Sequence, residues 1–164
     1  MKKLDFAELW LAGEGDLSND LRQIVRENGL DNRVKFLGFV RPNALQALTN
    51  QAWVGLNLLK MNGLSYYYSL ANKFFDYIQN GVPSLNMAFP EYQNINAQHK
   101  VSLLLEDCAP ESIVSALNLL KNDNDLYNNL VKNCAEAAKV YTWEQEERRL
   151  IQIYESLWGS SDSK

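Results

Sequence analysis

Cysteine, histidine and proline are scarce in this chain of 164 residues, at two, one and four copies. Cys108, Cys134 and His99 are too few to build a structural zinc site, which takes about four ligands, and two thiols make no disulfide framework. Both cysteines are expected as buried thiols. No apolar run approaches the roughly 18 residues of a membrane span. The start Met1-Lys2-Lys3-Leu4-Asp5 has no apolar stretch behind its basic pair, so a signal peptide is not expected and the chain reads as cytoplasmic. Positive charge is also in deficit: the net charge is −4 and the isoelectric point near 5.0. Without a basic field there is nothing to draw phosphate backbones, and nucleic acid is excluded as a partner.

What is present is an ordinary globular balance, 46% hydrophobic and 22% charged. A chain of this length can bury roughly 70% of its unfolded surface in one core. Residues 1–158 are expected to form a single domain, and residues 159–164 a disordered polar tail.

Apolar patterning alternates between two periods. A strand at Leu9-Trp10-Leu11-Ala12 runs into Gly13-Glu14-Gly15, and a helix follows with Leu17, Leu21, Ile24 and Val25 on one face, ending at Gly29. A second strand, Val34–Leu37, precedes a short helix opened by Pro42, with Ala44, Leu45, Ala47 and Leu48 inward. A third strand is expected over 53–59, a helix over 72–80 closed by Gly81, a fourth strand over 83–86 and a fifth over 101–105. Such spacing is that of parallel crossover units. The fold class is therefore α/β: a Rossmann-like, doubly wound parallel sheet of about five strands with helices on both faces. Three helices close the chain, Pro110–Lys121, Asp125–Lys139 and Trp143–Trp158. The last opens on a capping box, Thr142 with Gln145, and carries an apolar stripe that needs a surface to cover.

Several motifs invite a chemical reading. Gly13-Glu14-Gly15 begins a dinucleotide fingerprint, but Ser18 stands where its third glycine would be, so a tight strand-to-helix turn explains the pair as well. Asp123-Asn124-Asp125 has the spacing of a metal-holding motif, yet it lies between two amphipathic helices and reads as a turn and cap. His99 follows a polar loop and reads as a surface residue. Glu144 and Arg148 are spaced for an ion pair on a solvated helix face. Tyr66-Tyr67-Tyr68 cannot all face one core, which leaves binding and packing equally open.

The segment Ser69-Leu70-Ala71-Asn72-Lys73-Phe74-Phe75-Asp76 carries most. It sets a helix start beyond the carboxyl end of the third strand, where free amides and the positive dipole end favour phosphate. Lys73 adds a cation in the first turn, and Asp76 could accept two ribose hydroxyls. An amphipathic helix with Phe74, Phe75, Tyr77 and Ile78 inward and Asp76 solvated accounts for the same residues without a ligand.

Taken in order, Leu9–Gly15, Val34–Val40, Asn72–Pro83 and Tyr141–Glu144 resemble the C-terminal, donor-binding domain of group 1 glycosyltransferases. The resemblance covers nearly the whole chain. It implies a GT-B enzyme of two Rossmann-like domains that retains anomeric configuration and needs no metal or other cofactor, its nucleotide-diphosphate sugar being a substrate. Many members carry two glutamates in this segment; Asp76 stands at the second, which contacts the donor ribose, and Tyr68 at the first, near the donor sugar. Ser69, Leu70, Ala71 and Asn72 match the diphosphate segment, and Phe39 and Val40 the turn that reads the base. Gly13 and Gly15 complete the expected donor site. No catalytic residue is assigned.

The resemblance also implies elements not found here: a first strand and helix bearing a phosphate-binding arginine and lysine, and the acceptor-binding N-terminal domain. The expectation is a donor-binding part of an enzyme that transfers sugar to a saccharide or lipid-linked acceptor in surface glycan synthesis, peripheral to the membrane when full-length and inactive as this chain alone. Self-association across the gap in the sheet is a further expectation. The competing reading is a non-catalytic nucleotide-binding or interaction module on the same fold.

Overall fold

Five short parallel strands and eight helices form among residues 1–158, the part described by the computed structural model. The tail expected over 159–164 lies outside the described residues. In chain order the elements are β1 Leu9–Ala12, α1 Ser18–Glu27, β2 Val34–Gly38, α2 Pro42–Thr49, β3 Gly55–Asn57, α3 Leu64–Tyr67 and α4 Asn72–Gln79. They continue with β4 Ser84–Met87, α5 Pro90–Gln98, β5 Ser102–Leu105, α6 Pro110–Asn122, α7 Asn124–Ala137 and α8 Trp143–Trp158.

The α/β, Rossmann-like architecture expected from the alternation is present, but the sheet is divided. β1 pairs with β2, and β3, β4 and β5 form a second sheet in that order. Every pairing is parallel. β1 and β3, which face neither β2 nor β4 with their outer edges, both line one cavity of about 770 Å³.

The core lies around the second sheet. One buried cluster holds Phe74 and Ile78 of α4 with Met87, Tyr92, Val101 and Cys134. The other holds Leu85 of β4 with Leu105, Leu117, Leu120 and Leu130, and Leu4 from the amino-terminal segment joins it. β4 is buried at all four positions because it is paired on both edges and covered on both faces.

The first half packs otherwise than its periodicity implies. Of the α1 face expected inward only Val25 is buried; Leu17, Leu21 and Ile24 are 64%, 42% and 51% exposed. In α2, Ala44, Leu45 and Ala47 are exposed and only Leu48 is half-buried. A two-stranded sheet offers too little surface to cover two amphipathic helices. What ties the halves together is the segment ahead of β1. Arg33 donates to the carbonyls of Leu4 and Ala7, the Phe6 ring meets Trp53 edge-on, and Lys121 stands 4.0 Å over that ring.

Three further expectations are corrected. The polar loop before His99 is helix α5: Pro90 occupies its start, and only Tyr92 and Ile95, one turn apart, are buried, too sparse a pattern to show a period. His99 is half-buried, edge-on to Tyr141 at 5.7 Å. The α8 ion pair joins Glu146 to Arg149 at 2.7 Å. The capping amide of Gln145 does reach Thr142 Oγ1 at 3.3 Å, and the apolar stripe of α8 has no buried residue. Among the described residues no helix is long and apolar enough to cross a membrane.

Candidate donor site at the head of α4

α4 starts where β3 and its loop have left the sheet, and no side chain caps it. Ala71, the residue before it, is extended and donates its amide to Tyr92 Oη at 3.0 Å, so the buried Tyr92 fixes where the helix begins. The amides of Asn72 and Lys73 in the first turn point outward along the axis, as they must at any helix start. Phe74 and Ile78, one turn apart, anchor the opposite face in the core.

Lys73 and Asp76 project from the exposed side of α4 into the wall of the 770 Å³ cavity. Ala12, at the end of β1, and Leu37, near the end of β2, belong to the same wall. A cation and a carboxylate from the first two turns of an uncapped helix thus share a cavity wall with the carboxyl ends of β1 and β2, and open α/β sheets bind ligands beyond such strand ends. Loss of hydration in the cavity pushes the Asp76 carboxyl above its ordinary range. The rise makes its ionised form costlier in the folded chain. That penalty is absent below the ordinary carboxylate pKa of about 4 and complete above the raised value.

The remaining candidates are dispersed. Gly13 sits at φ 126°, and its amide donates to Gly38 O at 2.7 Å; the Gly15 amide donates to Ser18 Oγ at 2.9 Å. Both amides are occupied within the chain, and Glu14 between them is paired with Arg22 of α1. Neither glycine lines the cavity. Phe39 is 82% exposed in the turn after β2, with Val40 half-buried beside it. Ser69 Oγ donates to Tyr66 O at 2.7 Å, closing the loop after α3, and Leu70 packs against the first core cluster. Tyr68 is exposed, while Tyr67 packs on Phe89, so the three tyrosines divide between solvent and core.

Two further residues line the cavity, Tyr77, expected only as an inward face of α4, and Tyr127, not singled out from the sequence. Tyr77 lies flat on Gly55 and donates its hydroxyl to Leu56 O at 3.3 Å, and Tyr127 donates to Trp53 O at 3.0 Å. The spacing of Tyr77 from Lys73, one turn along α4, is the only signal that could have placed it in the cavity wall. A second cavity of about 660 Å³ opens at the carboxyl ends of β3, β4 and β5, lined by Lys60, Tyr67, Gln93 and Asp107 among others. Cys134 is fully buried and its thiol is pushed up to about 12 by burial, which makes it inert. Asp123 Oδ1 accepts from the Leu126 amide at 2.9 Å, the cap expected of it. Among the described residues no three His, Cys, Asp or Glu side chains cluster to hold a metal ion.

Known proteins give this geometry a family. Residues 1–123 match the family described as glycosyl transferases group 1. A search of curated protein sequences returns no match. Among solved structures, sucrose-phosphate synthase from Thermosynechococcus elongatus superposes with a TM-score of 0.75 at 20% identity, over 93% of this chain and 38% of that one. Anabaena Alr3699/HepE in complex with UDP gives 0.77 at 17% identity, over 92% and 41%. The pneumococcal O-GlcNAc transferase GtfA in complex with UDP and GlcNAc gives 0.73 at 15% identity, over 95% and 31%. The chain therefore spans well under half the length of these structures, and the likeness to them is one of fold. With three quarters of its length matched by the family, from β1 through α6, this chain belongs to the group 1 glycosyl transferases.

Proposed function

We propose that this chain is the donor-binding part of a retaining, metal-independent GT-B glycosyltransferase, with residues 1–158 as one nucleotide-sugar-binding domain. The single observation that carries the proposal is the placing of Lys73 and Asp76, from the first two turns of the uncapped α4, in one cavity wall with Ala12 at the carboxyl end of β1. In this reading the α4 amides and Lys73 hold the donor diphosphate and stabilise its negative charge as it departs, a purely electrostatic contribution that needs no metal. Asp76 accepts the ribose hydroxyls. Ser69, Leu70 and Ala71 shape the diphosphate loop, Phe39 and Val40 border the base, and Tyr68 stands toward the donor sugar. UDP is present in the Anabaena and pneumococcal structures of the same fold, which supports a uridine diphosphate sugar as the donor to try first.

The acceptor, a saccharide or lipid-linked saccharide of surface glycan assembly, belongs to the parent enzyme, acting on the cytoplasmic side of the membrane. This chain alone binds donor without transferring sugar. Sugar transfer by the purified chain would contradict that.

Thermal unfolding with and without UDP tests the reading, because a ligand bound only by the native state raises the midpoint by mass action. UDP is expected to raise it, and Asp76→Asn to weaken UDP binding about tenfold, the loss of one charge-assisted hydrogen bond. Asp76→Asn also removes the desolvated charge, so stability at pH 7 should hold or rise. No response of the wild-type chain to any nucleoside diphosphate would favour a non-catalytic module. The occupied amides of Gly13 and Gly15 are the observation on that side.

A further inference from the structure

The 660 Å³ cavity at the carboxyl ends of β3, β4 and β5 shares no lining residue with the 770 Å³ cavity that holds Lys73 and Asp76. Its volume lies in the range of small-molecule sites, roughly 300–1,000 Å³. Each of the three strands sends a loop to its wall: Lys60 follows β3, Phe89 follows β4 and Asp107 follows β5, while α5 adds Gln93.

Parts of this wall are held in place by contacts of their own. The half-buried Tyr67 ring packs between Phe89, at 5.5 Å, and Tyr68, at 5.0 Å. Beside it the wall stays apolar, since the buried Met87 takes the Cys108 thiol on its sulfur at 3.3 Å. Asp107 Oδ1 accepts the Ala109 amide at 2.9 Å. Hydrogen bonds from the Ser112 hydroxyl and that amide hold the Asp107 carboxyl below its ordinary range, so the wall carries an oriented, ionised acceptor. Gln93 and Lys60 are exposed, and among the described residues no hydrogen bond or ion pair within the chain engages their side chains.

Charge and hydrogen-bonding capacity together narrow the ligand. Lys60 stands against Glu106 and Asp107, so carboxylates outnumber cations in the lining and disfavour a phosphate or a carboxylate. Asp107 only accepts, Lys60 only donates and Gln93 does both; a hydroxyl, which donates and accepts from one atom, satisfies all three. A ring that bears hydroxyls around an apolar C–H face suits the Tyr67 and Met87 side as well.

We propose that this cavity is a second ligand site, one that takes an uncharged saccharide with its C–H face on Tyr67 and its hydroxyls on Gln93, Asp107 and Lys60. The saccharide is a ligand separate from the donor read at Lys73 and Asp76. The site stands whether or not that reading does.

The test follows backbone amide shifts by nuclear magnetic resonance as the whole chain is titrated, without nucleotide, to tens of millimolar of three methyl glycosides: α-glucoside, β-galactoside and N-acetyl-β-glucosaminide. At least one is expected to shift the Lys60, Gln93 and Ala109 amides saturably and leave Lys73 and Asp76 unmoved. Gln93→Leu, a change at an exposed position of α5, should weaken that binding about fivefold, the worth of one hydrogen bond, with the rest of the spectrum unchanged. UDP added afterwards should leave the glycoside shifts in place. The proposal is overturned if no glycoside moves these amides, if Gln93→Leu binds as tightly as the unmodified chain, or if UDP displaces the glycoside. Inorganic phosphate shifting the same three amides would overturn it too, by showing an anion site.

Discussion

Gly55 is the residue on which most of the central packing turns. A Cβ built there would stand 2.5 Å from the Tyr77 ring, with its Cγ and Cδ atoms as the nearest neighbours. The close approach lets Tyr77 reach over β3 and bond the Leu56 carbonyl. Gly55→Ala is expected to destabilise the chain by about 1–3 kcal/mol through overpacking, read from urea unfolding. Adding Tyr77→Leu, which vacates the space, should recover part of that loss, giving a non-additive pair. Additive effects would show that the ring and Gly55 are not in contact. Asp76, the residue before Tyr77, has its carboxyl raised above the ordinary range by burial alone.

At the scale of elements, helix starts decide much of the order in the second half. α7 is capped by Asp123, whose exposed carboxylate takes the Leu126 amide. Asp123→Ala should lower stability by about 1 kcal/mol and Asp123→Asn by much less, because only the former removes the acceptor. An unchanged urea midpoint in the alanine variant would deny the cap a role. α4 has no such side-chain cap, and neither do α1, α2, α3, α5 and α6. Elements with a strong period and clear punctuation were legible in the sequence: β1, β2, β5, α4, α6 and α7 lie within a residue or two of their expected bounds. α5 was not legible, because a helix held by two buried residues has hardly any periodic signal. β3 is shorter than its apolar run, since Trp53 leaves the ladder to stack on Tyr127 and give it its carbonyl. Of the site, Lys73 and Asp76 could be read as a pair from their helical spacing. The occupied amides of Gly13 and Gly15 depend on where Ser18 and Gly38 fall in space, which no local pattern encodes.

The whole molecule is unevenly consolidated. Both buried clusters belong to β3–β5, their helices and the amino-terminal segment, while β1, α1, β2 and α2 contribute only Val25 and Val34 to the buried apolar set. Stability should follow that division. Native-state hydrogen exchange is expected to be slowest at Leu85 and Met87 in β4 and roughly a hundredfold faster at Leu11 and Lys35, whose half opens first. Equal protection in the two halves would mean that they unfold as one unit.

The division between the sheets also has a mechanical side. Parallel ladders resist load when they are sheared, and each half has such a ladder, but none crosses from β1 to β3. A pull that separates the halves therefore works against the Phe6–Trp53 contact, the Arg33 clasp on Leu4 and Ala7, and the packing of α2 near α4. The chain has a built-in parting line, and those few side-chain contacts determine how much force the domain can bear across it.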